Sequence, residues 1–142
     1  MAPDPLAVPI GEPGCQLVFE GPTFAQHIGA HIERGGFLHA GDSVVLDPSL
    51  PRYFAELGRT WRGWVGERIW RSAGERLTLA ASHDGIGHVL IRVTFRDWES
   101  RSEAGPTRQG DWSAAVVVHV EPAALEHIAA ALEEIRQADP DR

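Results

Sequence analysis

Three adjacent residues, Ser82, His83 and Asp84, are the residue types of a catalytic triad. In that chemistry a histidine takes a proton from a serine nucleophile, and an acid orients the histidine. The members of a triad converge from separate parts of a fold, however, whereas adjacent strand residues point to opposite faces. We therefore interpret Asp84 and the following Gly85 as a turn, and the sequence predicts no catalytic residue.

His27 and His31 have the H-x-x-x-H spacing of a metal-binding pair. On a helix the two would share one face, but on a strand they lie two pleats apart, roughly 13 Å, which is too far for one ion. A three-residue turn around Gly35 would instead place His31 opposite His39, close enough to share a metal ion. Because the sequence assigns no third ligand, we predict neither a bound metal ion nor a cofactor. If a metal ion does bind, His31 and His39 are the candidate ligands.

A strip of polar residues on one sheet face is the better candidate for a binding surface. The strand pairing described below aligns Ser82, His88 and His119 in a row, with Arg92 and Thr94 nearby. Histidines titrate near neutral pH, so the strip can bind an anion, a carboxylate of a partner or a small polar ligand. It can equally be the solvated face of an antiparallel sheet. An acid–base enzyme would need a nucleophile or carboxylate beside a histidine, and the pattern identifies neither.

Residues 61–70 contain three of the five tryptophans. We expect Trp61 and Trp70 to pack in the core, where they would join a helix to a sheet. Trp64, Arg62 and Arg68 can stand at the surface, where tryptophan and arginine are the commonest hot-spot residues of interfaces. The sequence leaves the position of Trp64 open, and Trp64 and Arg62 are added to the candidate binding surface.

The elements that position these residues begin with strands. Residues 1–14 contain four prolines and two glycines, which predicts a flexible leader. A short strand follows at residues 17–19. Residues 25–33 alternate between apolar and polar side chains, as in a half-buried strand, although the same residues allow a helix. We favour the strand, since Gly35 and Gly36 then turn the chain into a second strand at residues 37–46.

Two helices are predicted from apolar residues at helical spacing. Ser49 opens a helix over residues 49–62, with its apolar face formed by Leu50, Phe54, Leu57 and Trp61. Pro122 opens a second helix over residues 122–137. Its apolar face is formed by Leu125, Ile128, Leu132 and Ile135. We expect this closing helix to cover the apolar face of a sheet.

Between the helices the sequence predicts about four strands and their register. A three-residue turn at residues 84–86 would align the apolar rows of two strands. It pairs Leu77 with Val93, Leu79 with Ile91 and Ala81 with Val89. A further strand over residues 112–120 would place Trp112 opposite Phe95, Val116 opposite Ile91 and Val118 opposite Val89. The intervening polar residues 96–110, which include Trp98, are predicted to form a long exposed loop that can carry contacts.

The whole pattern predicts an α+β fold with about six or seven mostly antiparallel strands, a middle helix and a C-terminal helix on a sheet face. The chain of 142 residues fits one domain, residues 15–138, with a disordered tail at 139–142. We expect a core that includes Trp61, Trp70, Leu79, Ile91, Val116, Leu125, Ile128 and Leu132. The single cysteine, Cys15, cannot form an internal disulfide.

The net charge of the chain favours some classes of binding partner over others. Thirteen basic and twenty acidic residues give a net charge of −7, which argues against nonspecific binding to nucleic acid or to an anionic membrane. A basic protein partner is electrostatically favoured. The N-terminus has no signal-peptide pattern, so we expect a cytoplasmic protein. An uncovered strand edge would also allow a homodimer.

The motifs W-R-G-W-x-G-E-R-x-W at residues 61–70 and H-D-G-x-G-H-V at residues 83–89 resemble those of a family of small bacterial proteins of unknown function. The order of elements, with Trp112 before the last strand, is similar to immunity proteins of bacterial toxin systems. That resemblance implies a non-enzymatic cytoplasmic antitoxin that binds a toxin domain, often a basic nuclease. The alternative is a small-ligand or metal-binding function on the histidine-bearing sheet face.

Overall fold

The structure is a computed structural model that describes residues 7–24, 26–35, 37–98 and 111–139. The described residues form eight strands and two helices. In chain order these are β1 (Ala7–Glu12), β2 (Cys15–Phe24), β3 (His27–Arg34), β4 (Phe37–Val45), α1 (Ser49–Arg59), β5 (Arg68–Arg71), β6 (Leu77–His83), β7 (Val89–Trp98), β8 (Asp111–Val120) and α2 (Pro122–Ala138). All strand pairs are antiparallel, in two sheets of four with the orders β1-β2-β3-β4 and β5-β6-β7-β8. The predicted α+β class is confirmed, with more strands than expected.

The first strand, β1, lies where a flexible leader was predicted. Val8 pairs with Phe19 and Ile10 with Leu17, and both β1 side chains are buried. The prediction is therefore wrong for residues 7–14, because the alternating Val8 and Ile10 supply the buried face of an edge strand that tolerates Pro9. β1 also lies against β8, since a Cβ atom added to Gly11 would be 3.0 Å from the Cβ of Val118. Residues 1–6 lie outside the described residues.

The strand interpretation of residues 25–33 is confirmed by β3, which pairs with β2 and β4. Ile28, Ala30 and Ile32 point into the core. The register with β4 differs from the prediction: His31 is opposite Gly41, not His39. The strands pair first at Arg34 and Phe37, and the pairing shifts by one further residue between Ile32 and Glu33. One extra residue of this kind is a β-bulge, which sequence alternation alone does not reveal.

The middle helix α1 ends at Arg59, three residues earlier than predicted. Thr60 ends it, with its backbone N–H and its hydroxyl both donating to the carbonyl of Glu56. Leu50, Phe54 and Leu57 are buried as the helical pattern predicts. Trp61 follows the helix end and is therefore not on the buried stripe. It is 53% exposed, so its expected place in the core is wrong.

The second sheet has the predicted faces but a different register. Leu77 is opposite Phe95, Leu79 opposite Val93 and Ala81 opposite Ile91, with residues 84–88 forming the turn. The predicted three-residue turn is wrong, because the Asp84 side chain accepts hydrogen bonds from the backbone N–H groups of Ile86 and His88 and stabilises a longer loop. The pairs move by two residues, which keeps every side chain on its predicted face.

The last strand shows the same two-residue displacement. Phe95 is opposite Ala114, Ile91 opposite Val118 and Val89 opposite Val120. The loop prediction is wrong for residues 96–98, since β7 continues through Trp98, and β8 begins at Asp111. Trp98 therefore belongs to a strand rather than to the loop, and residues 99–110 lie outside the described residues.

One hydrophobic cluster joins both sheets to both helices. Its buried members include Trp70, Leu79, Ile91, Val116, Leu125, Ile128 and Leu132. α2 packs against α1, β1 and β2. Asp139, expected in a disordered tail, is instead buried, and its Oδ2 accepts a hydrogen bond from the backbone N–H of Gln26 at 3.0 Å. Residues 140–142 lie outside the described residues. No helix among the described residues has the length and apolarity needed to cross a membrane.

Candidate functional site

The two motif stretches, residues 61–70 and 83–89, meet at His83. The Nδ1 atom of His83 accepts a hydrogen bond from the Gly85 N–H at 2.9 Å, so Nδ1 carries no proton. The opposite nitrogen, Nε2, then donates to the carbonyl of Trp61 at 3.1 Å. A neutral His83 thus connects the β6–β7 turn to the segment that follows α1.

Trp64 completes this connection and is only partly exposed. Its ring meets the His83 ring edge-on at 5.4 Å, and its Nε1–H donates to the carbonyl of Ala81 at 3.1 Å. The Arg68 guanidinium lies 4.9 Å from the centre of the Trp64 ring. Gly63 is required beside it, because its φ is +132° and an added Cβ would lie 3.2 Å from His83 Nδ1. Trp64 therefore has structural contacts on several sides.

Asp84 organises the turn that presents His88. Its Oδ1 accepts the N–H groups of Ile86 at 2.8 Å and His88 at 3.0 Å, and its Oδ2 lies 2.6 Å from His88 Nδ1. Desolvation raises the pKa of Asp84, but these hydrogen bonds from Ile86 and His88 outweigh it and lower the pKa to about 2. With Nδ1–H held by Asp84, the Nε2 of a neutral His88 is available as an acceptor.

A cavity of about 340 Å³ lies beside this turn. It is lined by Glu12, Asp84, His88, Val89, Leu90, His119, Val120 and Glu121. His88 and His119 thus both line this cavity. Ser82 is not part of the lining. It is opposite Leu90, and Leu90 separates it from His119 on the next strand. The predicted pairing of Ser82 with His88 is wrong, since His88 belongs to the turn.

A second depression of about 530 Å³ adjoins the first at Glu121. It is lined by Gly58, Trp61, Gly87, Glu121, Pro122, Ala123 and Glu126. The half-exposed Trp61 forms its aromatic wall, with the Arg62 guanidinium 5.2 Å from the ring centre. We call the two depressions together the acidic cleft.

The residues that line the acidic cleft include four carboxylates and no arginine. The carboxylates are Glu12, Asp84, Glu121 and Glu126, and all four residues are exposed. With neutral histidines these lining residues have a formal charge of −4, and the guanidinium of Arg62 next to the Trp61 wall adds one positive charge. The residues that line the cleft include no hydroxyl, thiol or amine side chain. Its chemistry is that of carboxylates, imidazoles and one indole, which are groups that bind cations.

The other predicted binding residues lie elsewhere. Arg92 is on the outer face of the second sheet and forms an ion pair with Glu67 at 2.9 Å. His31 is on the first sheet, where its ring contacts Glu20 and Glu33 rather than a second histidine. The side chains of His39 and Trp98 lie outside the described residues.

Sequence reasoning assigned none of the four cleft carboxylates to a binding surface. Asp84 was interpreted as a turn residue and Glu12 as part of a flexible leader, and Glu121 and Glu126 were not singled out. Glu121 follows His119 by two residues at the end of a strand, which is the one local signal that could have suggested it. The contribution of Glu12 depends on β1 and could not have been seen from spacing.

Comparison with known proteins identifies the family but no relative of established function. None of the curated proteins matches this sequence. A family model described as a family of unknown function, DUF6228, matches residues 25–139. This range covers both helices, six of the eight described strands (β3 to β8), and most of the acidic cleft. The chain therefore belongs to the DUF6228 family of unknown function.

Proposed function

We propose that this protein is a non-enzymatic binding protein of the immunity type, which binds a basic protein partner in the acidic cleft. The observation that carries the proposal is the combination of four carboxylates with the half-exposed Trp61. Large aromatic side chains exposed in a depression are typical of binding hot spots. The net charge of −7 adds long-range attraction for a basic partner.

The cleft favours an arginine or lysine side chain as the first group to be bound. Glu121 borders both depressions, so a cation placed there has Glu126 on one side and His119 on the other. Carboxylates form charge-assisted, often bidentate, hydrogen bonds with a guanidinium. The Trp61 ring, over which the Arg62 guanidinium lies, offers its remaining exposed surface to the stem of that side chain. Recognition of this kind needs no reacting group.

The resemblance of the sequence to immunity proteins supports a toxin domain as the partner. Under this proposal the protein acts in the bacterial cytoplasm, where it occupies the basic surface of a toxin such as a nuclease. A nuclease needs a basic surface to bind its nucleic acid. An acidic protein seated on that surface would exclude the substrate without any chemistry of its own.

The test is binding to the toxin domain encoded beside this gene, measured with the purified full chain. We expect a complex whose affinity falls at least about tenfold in Trp61→Ala, because that change removes a hot-spot aromatic. Glu121→Gln should also weaken it, and more so at low salt, because it removes a cleft charge. Glu134→Gln is the matched control, since Glu134 is exposed on α2 but does not line the cleft.

Trp61→Ala should leave the protein folded, as its side chain is already half exposed. A thermal midpoint equal to that of the wild type would show that any lost affinity arises at the surface. Failure of the wild type to bind the toxin or to protect cells from it would remove the immunity function. Binding that is unchanged in both cleft variants would remove the acidic cleft as its site.

A further inference from the structure

A second polar cluster lies on the outer face of the first sheet, away from the acidic cleft. It consists of Glu20 on β2 with His31 and Glu33 on β3. His31 is paired with Val18, so Glu20 is its diagonal neighbour, and Glu33 follows it by two residues on the same face. The three side chains place one ligand atom each within 4.8 Å of one another.

The two nitrogens of His31 face different carboxylates. Nε2 lies 2.7 Å from Glu33 Oε2, which is the length of a charge-assisted hydrogen bond, so Nε2 carries the proton. Nδ1 lies 3.7 Å from Glu20 Oε1, which is too long for a hydrogen bond. In a neutral imidazole this second nitrogen has only a lone pair. When the ring is neutral, a lone pair and a carboxylate thus face each other across a gap beside a side chain that is 17% exposed.

The distance between Nδ1 and Oε1 is close to the separation expected of two ligand atoms that bind the same metal ion. A tetrahedral Zn²⁺ bound at its usual distances to an imidazole nitrogen and a carboxylate oxygen holds those atoms about 3.4 Å apart. The observed 3.7 Å between Nδ1 and Oε1 needs only a small adjustment of the flexible Glu20 side chain. The contact between Glu33 and His31 is also typical of a metal site, because a metal-bound histidine usually donates its other N–H to a carboxylate.

Each ligand has a glycine opposite it on one of its two neighbouring strands. Gly41 is opposite His31, and Gly29 is opposite Glu20. An added Cβ at position 41 would lie 2.8 Å from the Cβ of His31, so the close approach of the strands itself requires glycine there. The neighbours on the other side are Val18, opposite His31, and Ala7, opposite Glu20, so none of the four cross-strand neighbours carries a polar side chain that would compete for the gap.

We propose that His31 and Glu20 bind a divalent transition-metal ion, Zn²⁺ being the ion tested, while Glu33 orients the His31 ring. The donor set of one imidazole and one carboxylate suits Zn²⁺ better than Ca²⁺ or Mg²⁺, which take oxygen ligands. The site is separate from the acidic cleft and does not rest on the immunity function. The competing occupant is a proton on Nδ1, which would make His31 an imidazolium paired with both carboxylates.

The test is calorimetric titration of the chelator-treated full chain with ZnCl₂ at neutral pH. We expect saturable binding of one ion, lost in His31→Gln and in Glu20→Gln. Glu33→Ala should weaken it about 10- to 100-fold, as loss of a carboxylate behind a histidine ligand does. His27→Gln is the control, because this histidine lies on the same face of β3, roughly 13 Å away.

Glu20→Gln keeps the experiment decisive if His31→Gln fails to fold, since the Glu20 side chain is 45% exposed. The ¹⁵N shifts of His31 in the zinc-free protein provide a second measurement and should show a neutral ring protonated at Nε2. Absence of saturable binding, binding unchanged in Glu20→Gln, or equal loss in His27→Gln would overturn the proposal. A doubly protonated His31 at neutral pH would overturn it as well.

Discussion

At the scale of single residues, key side chains of the two motif stretches form hydrogen bonds with backbone groups. Asp84 accepts two backbone N–H groups of its own turn, and His83 bridges that turn to the carbonyl of Trp61. Tyr53 behaves in the same way: burial raises its pKa, and its hydroxyl donates to the carbonyl of Arg68 at 2.9 Å. The triad-like sequence at residues 82–84 therefore has a structural explanation, because His83 and Asp84 form different hydrogen bonds.

The lowered pKa of Asp84 gives the first prediction, a pH-dependent loss of stability in acid. The carboxylate has a pKa of about 2 in the fold against an ordinary value of 3.8. The unfolded chain therefore takes up its proton first as the pH falls, so stability from this group is present above about pH 4 and is lost towards pH 2. Asp84→Asn should be less stable than the wild type at pH 7 and should approach it near pH 2.

Urea unfolding at a series of pH values measures this difference. Glu134→Gln, on the exposed face of α2, is the control and should track the wild type throughout. A gap between Asp84→Asn and the wild type that stays constant from pH 7 to pH 2 would contradict the role of the ionised carboxylate.

At the scale of elements, the alternation of apolar residues was enough to predict which side of each strand faces the core. It was not enough for register. The turn held by Asp84 moves the β6–β7 pairing by two residues and leaves the faces unchanged, and the β3–β4 bulge moves the pairing by one further residue. The end of α1 was also mispredicted, since Trp61 falls at helical spacing although Thr60 has already ended the helix. β1 was missed because prolines and glycines outweighed its two buried apolar residues in the sequence pattern.

The place of β1 in the core leads to the second prediction. Ile10 is fully buried, whereas Pro9 beside it points to solvent. Ile10→Ala should lower the free energy of unfolding by about 2–5 kcal/mol, because it removes buried methylene groups and leaves a cavity. Pro9→Ala, its matched control, should change it by no more than about 0.5 kcal/mol. Chemical denaturation measures both, and equal stability of the two variants would mean that β1 is not part of the core.

At the scale of the whole molecule, the acidic cleft is assembled from segments far apart in the sequence. Glu12 comes from β1, His88 from the β6–β7 turn, and Glu121 from the junction of β8 and α2. Sequence reasoning could name His88 and His119, which lie on neighbouring elements. It could not place Glu12 beside them, because that proximity depends on how the two sheets pack around one core.

The shared core gives the third prediction, that both sheets unfold in one transition. All five tryptophans lie at positions 61–112, so their fluorescence does not report on the first sheet directly. Leu17→Ala, in the buried part of β2, should nevertheless shift the fluorescence midpoint and the far-UV circular dichroism midpoint by the same amount. A shift confined to circular dichroism would indicate two sheets that unfold independently.

The packing of Gly11 in β1 on Val118 in β8 has a consequence for the time course of folding. These residues are separated by more than one hundred positions, so a long loop must close before they can meet. Contacts of such long range slow folding more than the local hairpins do. Until β1 docks, the walls of the acidic cleft are incomplete, because Glu12 arrives with that strand. We therefore expect that, during folding, the protein becomes able to bind a partner only after the secondary structure has formed.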